Sequence, residues 1–278
     1  MTDFHNNYPL TGVTIRESAE VPRLTDPLFS GRDYQVSPAE YALQLPGVGS
    51  FYACNGNEVT FTTEGKADPG WVQLYLNGQV LVALLHQRKL INFHASGFIY
   101  DNKGIMLLGE TGAGKSSITS AFVLDGASFI TDDLTVIDFE SHRPFIASLS
   151  RQIKLNEESI AQLDIDSNKL RRAEEGTTKY YLNISNDTEA HHPLDIIIKI
   201  ETGGTDTPRF YIPDQAERFS ILRSEICSWE MLAGMPDTER DYLQQLVQIV
   251  RDTRMIRVIR PHNITIKEMY GSIVRHLV

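Results

Sequence analysis

Two shortages and one imbalance come first. There are only two cysteines, Cys54 and Cys227, and no long apolar run. Lys and Arg together number 26 against 36 Asp and Glu, a net charge of −10. Two cysteines so far apart, in no C-x-x-C pair, build neither a disulfide framework nor a cysteine-rich metal site. The expectation is two buried, reduced thiols and a cytoplasmic protein. Apolar runs of a few residues fall far short of the roughly 20 needed to span a bilayer, so no membrane contact is expected. The opening MTDFHNNYPL lacks the basic-then-apolar pattern of a secretory signal. A surplus of acid repels phosphate backbones at long range, so nucleic acid is not an expected partner. What remains, 41% hydrophobic and 22% charged over 278 residues, is an ordinary globular chain long enough to bury a core without staples.

The chain divides by pattern at about residue 90. Residues 1–45 read as loop with short strands. Ser50–Cys54 and Glu58–Thr63 flank Asn55-Gly56-Asn57, a hairpin signal, and Trp71–Leu76 continues the alternating, strand-like pattern. Val80, Leu81, Leu84 and Leu85 then recur at helical spacing. Beyond residue 91 strands and helices alternate. Phe93–Tyr100 and Ile105–Leu108 form a hairpin through a tight turn at 101–103, a helix runs from about Gly114 to Leu124, and Ser128–Thr131 is a short apolar strand. Gln152–Leu163 reads as strand into helix, and Tyr180–Ile184, Asp195–Glu201 and Arg254–Ile259 as strands. Helices are expected over about 216–232, 238–252 and 264–277, and 164–178 reads as a mobile loop.

Gly109-Glu-Thr-Gly-Ala-Gly114-Lys115-Ser116 fits G-x-x-x-x-G-K-[ST]. That string arises by chance in a chain of this length on the order of 1% of the time. Its context is more specific still: a buried apolar run precedes it and a helix follows. Glycines allow the positive φ that turns successive N–H groups inward as an anion nest, and the helix N-terminus adds its dipole. A lysine and a serine then serve the phosphates and Mg²⁺.

Accessory motifs narrow the chemistry. There is no LSGGQ-like stretch for an ABC-type ATPase, and neither Asn-Lys dipeptide is followed by the aspartate of a GTPase base reader. Instead Asp132-Asp133 lies seventeen residues after Lys115, at the end of an apolar strand. At the tip of an α/β strand, one carboxylate can hold Mg²⁺ and the other can take a proton from an attacking hydroxyl. The bland alternative is a pair of solvated acids in a turn. His94 begins the strand whose hairpin leads to the P-loop strand, which would bring it to the same sheet end as Gly109.

His94-Ala-Ser-Gly, then GETGAGKSS, then Asp132-Asp133 together resemble the catalytic domain of HPr kinase/phosphorylase over about residues 92–139. Onward to residue 278 the order of elements is compatible. Residues 1–90 look like the small β-rich front of stand-alone HPr-kinase-like proteins, some of which modify peptides. The resemblance implies an α/β, HPr-kinase-like or PEP-carboxykinase-like P-loop domain over 91–278, using ATP and Mg²⁺ to phosphorylate a serine or threonine of a peptide or protein acceptor. Carried over, Gly109, Glu110, Thr111, Gly112, Ala113, Gly114, Lys115, Ser116 and Ser117 would bind the nucleotide. Ser116 and Asp132 would serve the metal, Asp133 would be the general base with Lys115 beside the phosphates, and His94 would sit near the transferred group. Homo-oligomers, which full-length members form, are carried over as an expectation.

Three departures from the family pattern speak against phosphorylase activity and against HPr as the acceptor. Ser117 stands where the family has an acid, Ala127 where it has a histidine, and the glycine-rich signature loop is missing. Arg171, Arg172 and Lys179, around the expected loop, are candidates to clamp a γ-phosphate or simply solvated. A small-molecule kinase and a nucleotide-sensing module without transfer are the competing readings. The acidic balance favours a basic acceptor segment.

Overall fold

The computed structural model describes residues 8–277 apart from 66, 150, 151, 167, 169, 174–177 and 185–190. It is a mixed α/β chain with several sheets, and it divides into two compact units. The first comprises residues up to Asn92 together with Ile226–Gln245; the second comprises Phe93–Glu225 and Leu246 onward. A single cut near residue 90 therefore misses the return of 226–245 to the first unit.

The first unit is built on β1 (Thr14–Glu17), β2 (Phe29–Ser30), β3 (Tyr34–Ser37), β4 (Glu40–Leu45), β5 (Gly49–Cys54) and β6 (Glu58–Thr63). Their sheet order is β1-β6-β5-β4-β3-β2, with only the β1–β6 pair parallel. Alternation sorts the side chains: along β5, Phe51 and Ala53 are buried while Ser50 and Tyr52 are not. Asn55 and Gly56 both take positive φ in the expected hairpin turn.

Trp71–Leu76 is helical, not extended. Asp68 accepts a hydrogen bond from the Gly70 amide and Pro69 occupies the first turn, which starts α1 (Pro69–Tyr75). Val72, Leu76 and Val80 are buried at four-residue spacing, so a helical face outweighs the local alternation. A π-type turn, Leu76–Val80, then joins α1 to α2 (Leu81–Gln87). Met231 and Leu232 lie in a 3-10 helix, Trp229–Gly234, whose final glycine packs directly on Val36. That contact joins the Tyr242 hydroxyl, which donates to the Leu90 oxygen at 2.7 Å, and His86 Nε2, 2.9 Å from the Cys227 oxygen, in tying the returning segment to the first unit.

In the second unit, after β7 (Asn92–Phe93), the hairpin of β8 (Ala95–Tyr100) and β9 (Lys103–Leu108) turns through Asp101 and Asn102, both with positive φ. Then come α3 (Lys115–Leu124), β10 (Ser128–Thr131), β11 (Thr135–Glu140), β12 (Arg143–Ala147), β13 (Gln152–Asn156) and α4 (Glu157–Gln162). They are followed by β14 (Leu170–Arg172), β15 (Lys179–Asn183), β16 (His191–Gly203), β17 (Arg209–Tyr211) and α5 (Gln215–Glu225). The chain closes with α6 (Pro236–Asp252), of which Pro236–Gln245 belong to the first unit, then β18 (Arg254–Pro261) and α7 (Ile266–Leu277). The single helix expected over 216–232 is broken: α5 stops at Glu225, and Ser228 takes a left-handed backbone before the 3-10 turn.

The larger sheet runs β10-β8-β9-β16-β12-β11, with β18 beside β16 and β17 beside β18. Thirteen-residue β16 is its spine, parallel to β9 and to β18 and antiparallel to β12. Phe98, Leu107, Ile118, Phe122, Ile198, Val258, Met269 and Ile273 form one core between sheet and helices, with Phe98 and Phe122 stacked at 4.5 Å. The stretch 164–178 is not simply a loop. Residues 167, 169 and 174–177 lie outside the described residues, but β14 pairs with β15 and adds to a three-stranded sheet of order β13-β15-β14. Its apolar face packs with Phe129 in a second cluster.

Gly104 marks the tightest strand approach. A Cβ there would stand 1.9 Å from the Pro193 carbonyl oxygen, forcing β9 from β16. Gly104→Ala is expected to cost roughly 3 kcal/mol or more of stability. A parental midpoint in denaturant melts would refute this.

Among the described residues no helix is long and apolar enough to cross a membrane. Neither cysteine forms a disulfide, and both are half-buried where full burial was expected.

Candidate functional site

The site forms where sheet geometry brings four segments to one edge. The β8–β9 register sets Ala95 opposite Leu108, so His94 emerges beside the residue that opens the loop. The β10–β8 register sets Thr131 opposite Gly97, which delivers Asp132 and Asp133 to that edge as well. Gly109, Gly112 and Gly114 all have positive φ. Side chains are also excluded by contact: a Cβ on Gly109 would meet the Ile200 oxygen at 2.5 Å, and one on Gly114 the Arg260 guanidinium at 2.8 Å. Helix α3 begins at Lys115, so its free amides point into the loop.

Lys115 is only 6% exposed and folds back on its own loop, its Nζ donating to the Gly109 oxygen at 2.6 Å and the Glu110 oxygen at 3.4 Å. Burial lowers its pKa, opposed first by the charge of Glu225. Glu110, Thr111 and Gly112 are exposed at the tip, and Ala113 is buried. Ser116 turns inward, its hydroxyl donating to Asp132 Oδ1 at 3.0 Å. Ser117 turns elsewhere: its hydroxyl meets Ser159 Oγ at 2.7 Å, on α4. The structure thus brings Ser116 to the paired acids and leaves Ser117 in a helix contact.

Asp132 is 3% exposed and is held by three donors: the Ser116 hydroxyl, the Ser96 hydroxyl and the Lys154 amide, the last at 3.2 Å to Oδ2. Burial pushes its pKa up to about 6, against those hydrogen bonds and with help from the neighbouring Asp133 charge. A carboxyl raised in the fold favours the protonated native state. Its stabilising contribution is complete below about pH 4 and lost as the pH rises through about 6. Asp132→Asn, which does not titrate, should therefore gain stability relative to the parent across that window. The gain should be on the order of 3 kcal/mol, at about 1.4 kcal/mol per tenfold change in proton affinity. A flat difference between parent and variant from pH 4 to 7 would refute the shift.

Asp133 holds a left-handed backbone, φ 74°, uncommon for a residue with a side chain. His94 Nδ1 lies 2.9 Å from the Asp133 carbonyl oxygen and 3.4 Å from its Oδ1. Burial, and next the Lys115 charge, lower the His94 pKa, so the ring is neutral at pH 7 and this contact is a hydrogen bond rather than an ion pair. Both neighbours of Nδ1 are acceptors; Nδ1 therefore carries the proton and Nε2 keeps its lone pair.

Sequence reasoning missed four participants. Ser96 stands inside the His94-Ala-Ser-Gly segment, with no role assigned there. Lys154 touches both acids, through its amide to Asp132 and through Nζ to Asp133 Oδ2 at 3.5 Å. Its ammonium also lies 5.6 Å from the Tyr181 ring centre, and Arg171 lies 5.5 Å from that same ring. Among the described residues Arg171 is thus linked to the site through Tyr181 and Lys154, while Arg172 and Lys179 are exposed. Glu225 pairs with Lys199, both nearly buried, and its carbonyl oxygen accepts from the His94 amide. An alternating strand such as Gln152–Asn156 marks Lys154 only as outward-facing, and nothing in sequence joins Glu225 or Lys199 to the loop.

No family model and no curated protein matches the chain. Among solved structures it is similar to the HPr(Ser) kinase/phosphatase from Coxiella burnetii, with 12% identity and a TM-score of 0.35, over 67% of this chain and 95% of that one. A likeness of that degree carries no functional argument.

Proposed function

We propose that the chain is an ATP-dependent kinase that transfers the γ-phosphoryl group to a serine or threonine hydroxyl of a peptide or protein. One observation carries the reading: the P-loop serine hydroxyl rests on the Asp132 carboxylate, and the next residue, Asp133, stands between a neutral histidine and an ammonium group. A loop that only captured nucleotide has no need of a second carboxylate held in a strained backbone at its mouth.

Magnesium fits the donors present. Asp132 and the Ser116 hydroxyl offer hard oxygens, and no cluster of three or more His, Cys, Asp or Glu side chains that could hold a metal occurs among the described residues. Mg²⁺ commonly takes one or two protein oxygens and leaves its other positions to phosphates and water. Ser116 and Asp132 would hold the ion, which neutralises charge on phosphate oxygens when bound. The chain's own residues do the rest. Loop amides bind the phosphates, and Lys115 exchanges its two loop carbonyls for phosphate oxygens. His94, donating from Nδ1, fixes the Asp133 main chain. Asp133 accepts the proton of the acceptor hydroxyl as that oxygen bonds to phosphorus and the bond to the ADP oxygen breaks. Lys154 balances the negative charge gathered there.

The test is transfer of label from γ-labelled ATP, with Mg²⁺, to an array of serine- and threonine-containing peptides. Stoichiometric label in an acceptor is expected. Slow hydrolysis with no labelled acceptor, peptide or small molecule, would leave only the nucleotide-sensing reading.

A further inference from the structure

The chain is acidic overall, with 36 Asp and Glu against 26 Lys and Arg, yet cations gather beside Asp133. The three-stranded sheet sets Lys154 opposite Tyr181 and Tyr181 opposite Arg171, so the three side chains form one row across β13, β15 and β14. Alternation sends the neighbouring rows the other way: Ile153, Leu155 and Leu182 are buried around Phe129. The Lys154 row therefore faces outward, and Arg171 at its far end is exposed. Both cations lie over the one ring, Lys154 Nζ at 5.6 Å and Arg171 Cζ at 5.5 Å from its centre. Lys179, two residues before Tyr181 on β15, shares that face and is exposed.

We infer that this outward face docks the acceptor, and that the acceptor carries an Asp or Glu about three residues from the hydroxyl it presents to Asp133. The inference rests on the kinase reading above and gives the acceptor its chemistry. The row begins at the proposed base, since Lys154 Nζ is 3.5 Å from Asp133 Oδ2. It ends two strands away, about 10 Å at the usual strand spacing. An extended peptide covers that span in about three residues, at about 3.3 Å each. A carboxylate there meets the Arg171 guanidinium, whose fork can take both oxygens at once while its plane rests on the Tyr181 ring. The net charge of −10 favours a basic acceptor only at long range. Screening cuts that field off within about 8 Å in physiological salt, whereas the row touches the docked segment and decides its charge.

The probe is a pair of peptide arrays, each varied around a central serine or threonine. The arrays are identical except about three residues from the hydroxyl, on either side, where one has Glu and the other Lys. Transfer from γ-labelled ATP with Mg²⁺ is read as kcat/KM. The full chain should prefer Glu over Lys by about tenfold, an exposed ion pair being gained in one array and a like-charge contact in the other. The preference should shrink in 1 M salt, where the screening length falls to about 3 Å. Arg171→Glu, at an exposed position, should reverse the preference, and its gain on the Lys array reports that the variant is folded. ATP affinity, titrated alongside, should be unchanged. Equal use of the two arrays, or a preference that survives Arg171→Glu, overturns the docking assignment and leaves the kinase reading intact. A fall in ATP affinity in Arg171→Glu assigns the guanidinium to the nucleotide and overturns it as well. Label in neither array overturns the kinase reading and this inference together.

Discussion

Asp133→Asn is expected to reduce phosphoryl transfer by about 10²- to 10⁴-fold, the usual cost of a lost general base, while nucleotide affinity stays within a few-fold. The substitution is chosen for what it preserves. Asparagine tolerates the left-handed backbone at φ 74° as well as aspartate does, and the carbonyl that receives the His94 proton is unchanged. What goes is the ability to accept a proton, together with the charge facing Lys154. Single-turnover transfer from labelled ATP, set beside an equilibrium titration of nucleotide, separates the two effects. Transfer at the parental rate would show that the proton leaves by another route.

Lys115→Ala should weaken both. A hydrogen bond to a charged group is worth roughly 1.5–3 kcal/mol, so triphosphate affinity should fall by about 10- to 100-fold, and transfer with it. Partial compensation is built in. The ammonium now spends its bonds on the Gly109 and Glu110 carbonyls, and these must be given up before phosphate is engaged. The measured loss will therefore be smaller than the contact in the complex alone would suggest. Calorimetric titration with a non-hydrolysable ATP analogue tests this; unchanged affinity would mean that the amide ring alone carries binding.

The parts of the site legible in sequence were those encoded within short stretches. The P-loop glycines announce their φ values, the tight turn at 101–103 announces a hairpin, and the hairpin carries His94 to Gly109. The parts that were not legible depend on distant segments. Lys154 reaches the acids because β13 lays its backbone against Asp132. Glu225 and Lys199 meet because α5 ends above β16, and a break at residues 226–228 in a strongly helical pattern has no cap or proline to announce it. At Trp71–Leu76 a signal was present and lost: Asp68-Pro69 starts a helix, but alternation over six residues reads as a strand. Period alone cannot arbitrate over so short a stretch.

The length of β16 has a consequence for ligand entropy. Four of its residues, Ile200–Gly203, run on past the end of β9 and pair with Val258–Pro261. The wall beside the phosphate loop is therefore ladder rather than loop, with alternate amides already committed to a neighbouring strand. A ligand arriving there freezes little that was previously free, and more of its contact energy remains as affinity.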